Sequence, residues 1–279
     1  MSETQNRIRY DFIIIDNRVL KLEKERGREM ARLACRRKVS VGADGLILIE
    51  NDSEADFKWQ FFNADGSEAE MCGNGARCAA RFALLKGIVK KESMSFRTLA
   101  GLIAAQVIDE RAKVRMTRPH SLAVGIPVDL GDRLFRLDFI NTGVPHAVFF
   151  TESEAQLEEL DVFDRGRYIR FHPRFQPAGS NADFAFVRGP HDISLRTYER
   201  GVEAETLACG TGSIAAALVA SAKELAVSPV KVRTRSGETL VIYFEKISQQ
   251  GETNFSNVYL EGDAKVVYDA ELWDETLRG

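Results

Sequence analysis

A chain of 279 residues with 44% hydrophobic and 28% charged side chains has the balance of a folded globular protein, long enough for about two domains of ordinary size. Its formal net charge of −3 supplies no field for a phosphate backbone, and no apolar run approaches the ~18 residues of a membrane span. Small molecules are therefore the expected partners, with neither nucleic acid nor a membrane among them.

The polar start, residues 1–6, leads us to expect no export signal. Four cysteines (Cys35, Cys72, Cys78, Cys209) are too few for a disulfide scaffold and lack the paired spacing of a zinc site. Reduced thiols in a cytoplasmic protein, and no metal, are the expectation.

In chain order, Phe12-Ile13-Ile14-Ile15 is a branched run closed by Asp16-Asn17 and reads as a buried strand. Residues 22–37 set Met30, Leu33 and Ala34 among charges, the pattern of an exposed amphipathic helix. Gly42-Ala43-Asp44-Gly45 turns into a second apolar strand, 46–49. Further strands are predicted at 57–62, 95–108, 134–140, 147–150, 184–188, 193–198, 230–234, 240–245 and 257–268. Two helices among them, 79–85 and 214–220, are apolar on nearly every side, so strands are expected to enclose them.

Each of these helices follows a cysteine in a glycine-rich turn, and the turns expose an internal repeat. Cys72-Gly73-Asn74-Gly75 is matched by Cys209-Gly210-Thr211-Gly212, with trailing alanines after both. Glu-Ala-Glu precedes both (68–70 and 203–205), and Arg-Thr-x-x-Gly follows both from Arg97 and Arg233, 25 and 24 residues after the cysteine. Four features in the same order predict two structurally similar halves.

A cysteine just before a helix places its sulfur near the unsatisfied N–H groups of the first turn, which is expected to lower the thiol pKa and make the thiolate a base. Gly73, Gly75, Gly210 and Gly212 present bare N–H groups suited to a carboxylate. The two helix ends are expected to meet across one α-carbon, one cysteine removing its proton and the other delivering one to the opposite face. Two adjacent thiolates would repel, so the working state is one thiolate and one thiol. Cys35 and Cys78 read as small buried hydrophobes, and His120, His172 and His191 as surface or core residues.

Asn63-Ala64-Asp65-Gly66-Ser67-Glu68, running on through Met71-Cys72-Gly73-Asn74-Gly75-Ala76-Arg77-Cys78, resembles the first signature of the diaminopimelate epimerases. Tyr198-Glu199-Arg200-Gly201 and Glu205 to Gly212 resemble the second, and residues 141–146 and 179–184 match between them. The resemblance implies an α+β fold of two pseudo-symmetric domains, each a mixed sheet or barrel wrapped around a central helix, here 1–118 with 265–279 and 119–264. It implies conversion of LL-diaminopimelate to the meso form without pyridoxal phosphate, metal or other cofactor, and a homodimer. Carried over residue by residue, Cys72 and Cys209 are the acid and base. Gly73, Asn74, Gly210 and Thr211 hold the reacting carboxylate. Asn63, Asn181 and Arg200 hold the distal end of the substrate, with Glu199 beside it, and His146 and Glu199 support the cysteines.

One departure is visible: Arg7-Ile8-Arg9-Tyr10 stands where the family usually has Gly-x-Gly-Asn, so a bulky phenol replaces an amide. Two alternatives stay open at this point. One is a racemase of another amino acid on the same fold; the other is a non-catalytic amino-acid binder in which the cysteines form a thiol switch.

Overall fold

Branched and aromatic runs become strands, and each parallel strand pair is bridged by a helical crossover. The computed structural model describes residues 10–129, 134–249 and 251–277. The chain divides into two units, Met1–Val114 with Asp263–Gly279, and Arg115–Gly262.

The first unit runs β1 (Phe12–Asp16), α1 (Asn17–Leu20), α2 (Lys24–Ala34), β2 (Gly45–Glu50), β3 (Phe57–Asn63), α3 (Gly73–Leu85), β4 (Ser93–Thr98), β5 (Gly101–Ile108) and β6 (Arg111–Arg115). Its strands lie in chain order, with β1–β2 and β3–β4 parallel and the other neighbours antiparallel. A parallel pair needs a crossover, and α2 and α3 fill the two crossovers.

The second unit runs β7 (His120–Asp129), β8 (Leu134–Asn141), β9 (Pro145–Phe150), α4 (Glu154–Glu159), α5 (Val162–Phe171), β10 (Asn181–Gly189), β11 (Asp192–Glu199), β12 (Ala204–Thr206), α6 (Gly210–Ala222), β13 (Val230–Arg233), β14 (Thr239–Gln249) and β15 (Glu252–Asp263). Its sheet order is β7-β8-β9-β10-β11-β13-β14-β15, with β12 added beside β11. From β9 onward the pairing sequence is that of the first unit: β9–β10 and β11–β13 are parallel, bridged by α4–α5 and by α6, and the rest are antiparallel. The repeat read in two cysteine turns thus extends over six strands and two crossovers.

Each sheet carries one helical layer on its outer face and curls around a second helix. On the outside, Met30, Ala31 and Ala34 of α2 pack on Leu46, Leu48 and Phe62, while Val162 and Ile169 of α5 pack on Ala182, Phe184 and Tyr198. Inside the curl, α6 touches β8, β9, β10, β11, β13 and β14, and every residue from Gly212 to Ser221 is buried. Ala215, Ala216 and Ala217 let the strands close around it. The expectation of a helix enclosed on all sides holds for α6 but is corrected for α3, where Phe82 and Leu84 are half-buried and Leu85 is exposed. Arg77 and Arg81 of α3 instead reach the returning chain, donating to the carbonyls of Asp263 (3.4 Å) and Ala264. Lys86 pairs with Asp269 and Arg111 with Asp263.

Other expectations are corrected in their limits. The run 95–108 is a hairpin of β4 and β5, because Gly101 at φ +106° reverses the chain. β1 is half-buried along its length because it lies at the end of its sheet. α2 ends at Ala34, short of residue 37, and the strand expected over 257–268 is β15, starting at Glu252 and ending at Asp263. α4, α5, β6, β7 and β12 were not anticipated.

One close approach recurs in both units. A Cβ added at Gly27 of α2 would lie 2.9 Å from Phe62 Cε2, and one added at Gly166 of α5 would lie 2.3 Å from Tyr198 Cβ. Gly27 meets the tips of Phe62 and Leu48, which can give; Gly166 meets the root of a buried tyrosine, which cannot. Gly166→Ala is therefore expected to lower stability by about 1–3 kcal/mol despite its gain of up to about 1 kcal/mol in helix propensity. Gly27→Ala should cost less, and paired urea unfolding curves check the order.

Candidate active site

An α-helix leaves its first N–H groups without partners, and a side-chain acceptor at the N-cap satisfies one of them. Here that acceptor is sulfur, twice. Cys72 caps α3 with φ −143° and ψ 118°, and its Sγ accepts from the Gly75 N–H at 3.4 Å. Cys209 caps α6 with φ −129° and ψ 113°, and its Sγ accepts from the Gly212 N–H at 3.4 Å. The helices begin at Gly73 and Gly210, so the glycines expected to form a turn ahead of each helix are its first turn.

Around Cys209 the second unit adds polar groups. The Thr211 hydroxyl lies 3.4 Å from its sulfur, Ser213 Oγ donates to its carbonyl at 2.8 Å, and Thr142 Oγ1 donates to the Thr211 carbonyl at 3.1 Å. Cys209 is buried and Cys72 half-buried.

The sequence expectation that a helix N-terminus lowers the thiol pKa is corrected for Cys209. Burial pushes this thiol well above its ordinary value, and the charges of Glu199 and Asp183 push it further, outweighing the hydrogen bonds from Thr211 and Gly212 that favour the thiolate. Cys35 is buried as expected, and burial together with Asp11 and Asp44 raises its thiol to about 12. Cys78, expected to be buried, is half-buried on α3.

The remaining anticipated residues fall into place by unit. In the first, Asn63 ends β3 with Nδ2 donating to Ser67 Oγ at 3.0 Å, and Gly73 and Asn74 open α3. In the second, Glu199 ends β11, half-buried, and Gly210 and Thr211 open α6. His146 is fully buried with Nδ1 2.6 Å from Asp183 Oδ2. Asn181 donates from Nδ2 to the Pro145 carbonyl (2.9 Å) and accepts at Oδ1 from the Arg200 N–H (2.8 Å). The Arg200 guanidinium donates to the Ala178 carbonyl at 2.9 Å. Tyr10 is half-buried ahead of β1, and Arg7 to Arg9 lie outside the described residues. Sequence reasoning missed Asp183 and Thr197, whose hydroxyl donates to Asp183 Oδ1 at 2.7 Å. A lone acid within the apolar run Ala182 to Phe186 was the available signal. Among the described residues no cluster of three His, Cys, Asp or Glu could hold a metal ion, and no helix is long and apolar enough to cross a membrane.

The sequence matches the family model described as diaminopimelate epimerase over residues 9–122 and 139–267. The chain belongs to the diaminopimelate epimerase family. It is 46% identical to the diaminopimelate epimerase of Aquifex aeolicus over 96% of its own length and 95% of that protein's. It is 38% identical to that of Archaeoglobus fulgidus over 96% and 94%. Among solved structures, a Bacillus anthracis phenazine biosynthesis protein of the PhzF family shares the fold at TM-score 0.64 and 15% identity, covering 90% of this chain and 89% of that one. A probable proline racemase from Agrobacterium radiobacter does so at TM-score 0.61 and 18% identity, covering 87% and 81%. The α+β architecture of sheets curled around helices is therefore that of this group of folds.

Because Cys35 and Cys209 hold their protons more tightly folded than unfolded, each contributes stability that is complete below the unfolded thiol range and is lost as pH rises from there through the folded value. Above about pH 9, urea unfolding should show stability falling by up to about 1.4 kcal/mol per pH unit for each thiol. Cys35→Ala or Cys209→Ala should each flatten that slope; a slope unchanged in Cys209→Ala would mean that its sulfur ionises in the folded protein as it does in the unfolded chain.

Proposed function

We propose that this chain inverts one α-carbon of LL-diaminopimelate to give the meso isomer, a step of lysine biosynthesis, with Cys72 and Cys209 as its acid–base pair. Family membership supports the reaction and the substrate. The observation that carries the cysteine assignment is that both sulfurs hold the same N-cap position in two copies of one supersecondary unit. Cys72 belongs to the unit of residues 1–114 with 263–279 and Cys209 to the unit of residues 115–262, close to the expected division at 1–118 with 265–279 and 119–264.

In the proposed reaction a thiolate takes the α-proton, and the thiol of the other cysteine gives its proton to the opposite face of the same carbon. Net transfer leaves the proton moved from one sulfur to the other and the substrate inverted. The α-hydrogen of an amino acid is a weak acid, so the charge that develops toward the carboxylate needs stabilising. The first-turn N–H groups of Gly73, Asn74, Gly210 and Thr211 are donors of that kind, with the positive end of a helix behind each pair. No electron-sink cofactor is assigned a step.

Asn63, Asn181 and Arg200 are assigned to the distal amino-acid group of the substrate. The planar guanidinium of Arg200 suits a carboxylate, and its backbone N–H is already tied to Asn181, which couples the two. Glu199 is assigned beside the substrate as well as beside Cys209, whose thiol its charge raises, and His146 is assigned to support the cysteines. The reading includes a cytoplasmic homodimer with no nucleic-acid or membrane partner.

Reduced protein incubated with LL-diaminopimelate in deuterium oxide should place deuterium at the α-carbon while forming the meso isomer, and Cys72→Ala and Cys209→Ala should each abolish turnover. Wild-type protein that exchanges no label would end the catalytic reading. Equal exchange of other amino acids would instead end the substrate assignment.

A further inference from the structure

The duplicated sheets allow a buried position in one unit to be compared with its counterpart in the other. Leu46 pairs with Phe62 and Ile47 with Phe61, as Ala182 pairs with Tyr198 and Asp183 with Thr197. Phe12 pairs with Gly45, as His146 pairs with Asn181. The contacts of Gly27 with Phe62 and of Gly166 with Tyr198 anchor the same alignment. Phe12, Ile47 and Phe61 therefore stand where His146, Asp183 and Thr197 stand in the second unit.

The first trio is apolar, with the rings of Phe12 and Phe61 edge to face at 5.8 Å. The second is a hydrogen-bonded polar cluster whose His146 and Asp183 side chains are 0% exposed. Since this fold accepts apolar residues at all three positions, the polar trio is not an architectural need, and burying an ionisable pair carries a desolvation cost. The cluster lies directly beneath the start of α6: a Cβ at Gly212 would meet Asp183 Oδ1 at 2.4 Å and Thr197 Oγ1 at 3.1 Å, whereas one at Gly75 would meet Ile47 Cδ1 at 3.3 Å.

The protons of the cluster follow from its backbone partners. The Arg200 N–H can only donate and the Pro145 carbonyl can only accept, so the Asn181 amide is fixed with Oδ1 toward Arg200 and Nδ2 toward Pro145. Nδ2 then turns its second hydrogen toward His146 Nε2, 3.5 Å away, which favours a bare nitrogen there. His146 Nδ1 is left to carry the proton donated to Asp183 Oδ2, while Thr197 donates to Oδ1. In that tautomer, with Asp183 accepting at both oxygens, the cluster carries one net negative charge.

We infer that Asp183 is a positioning residue for the Cys209 end of the site: it holds His146 as the neutral Nδ1–H tautomer and sets a buried negative charge under the α6 N-terminus, so that Cys209 rests as the thiol. The inference deepens the proposed acid–base role of Cys209 and rests on that reading. Within the second unit the groups acting on Cys209 are Asp183 from β10, Glu199 from β11, and the Thr211 hydroxyl and Gly212 N–H from α6, with His146 of β9 bound to Asp183. Glu199 pushes the thiol in the same direction and by more, and Asp183 adds to it from a fully buried position directly beneath the α6 N-terminus. The upward push on the Cys209 thiol agrees with this arrangement.

Two measurements on the full chain test it, and neither requires turnover, so their failure is distinct from failure of the epimerase reading. In protein labelled with nitrogen-15 in its histidine rings, with the His146 signals identified by their loss in His146→Gln, His146 should show the Nδ1–H tautomer near neutral pH. An Nε2–H tautomer or an imidazolium would overturn the inference. In a Cys72→Ala background, Asp183→Asn keeps the shape and removes the charge, and it should lower the midpoint of the Cys209 thiolate absorbance titration by at least about one pH unit. An unchanged midpoint would overturn it equally. Should Asp183→Asn fail to fold, the tautomer of the unsubstituted protein decides alone.

Discussion

A helix wrapped by a sheet can reach its surroundings only through its ends, and that constraint organises the second unit. α6 is buried from Gly212 to Ser221, so its flanks belong to the core. Its small residues allow six strands to close on it. What remains exposed to chemistry is the N-terminal turn, where unpartnered N–H groups are unavoidable. A cysteine at the N-cap satisfies one of them and becomes, in the same act, a sulfur fixed in place at the positive end of a dipole. The first unit repeats the device with a less enclosed helix, so the cap geometry does not depend on complete burial.

The sign of the effect on Cys209 is decided by magnitude. A helix N-terminus is worth about 0.3–1 kcal/mol to a nearby anion, reaching ~2 in partly buried settings. Burial of an ionisable group moves its pKa by up to about 3–5 units, several times larger in free energy. Enclosure of the helix therefore overrides the dipole of the same helix, and the carboxylates of Glu199 and Asp183 add to the burial. The enclosure that packs this turn is also what pushes its thiol upward.

Much of the candidate site was legible because backbone requirements are written in single residues. Glycine after an N-cap cysteine, with Glu-Ala-Glu before it and Arg-Thr about 25 residues after it, is present in the same order in both copies of the repeat. The start of each helix was not legible, because glycine has low helix propensity and reads as a turn; the sulfur cap is what makes it helical. The hairpin of β4 and β5 was hidden by Leu99-Ala100, which carries no turn former, and only Gly101 marked it. α5 was concealed by Asp164, Arg165, Arg167 and Arg170, which mask the buried Val162, Gly166 and Ile169. The environment of Cys209 could not be read locally, since it depends on Asp183, brought under the helix by the pairing of β9, β10 and β11.

The first unit is discontinuous along the chain, for Asp263 and the residues after it return to Arg77, Arg81, Lys86 and Arg111. During synthesis, residues 115–262 leave the ribosome as an uninterrupted stretch, while the earlier unit must wait for a segment still to be translated. The two copies of the repeat are thus not equivalent in time: all of the second has been synthesised before the last segment of the first emerges.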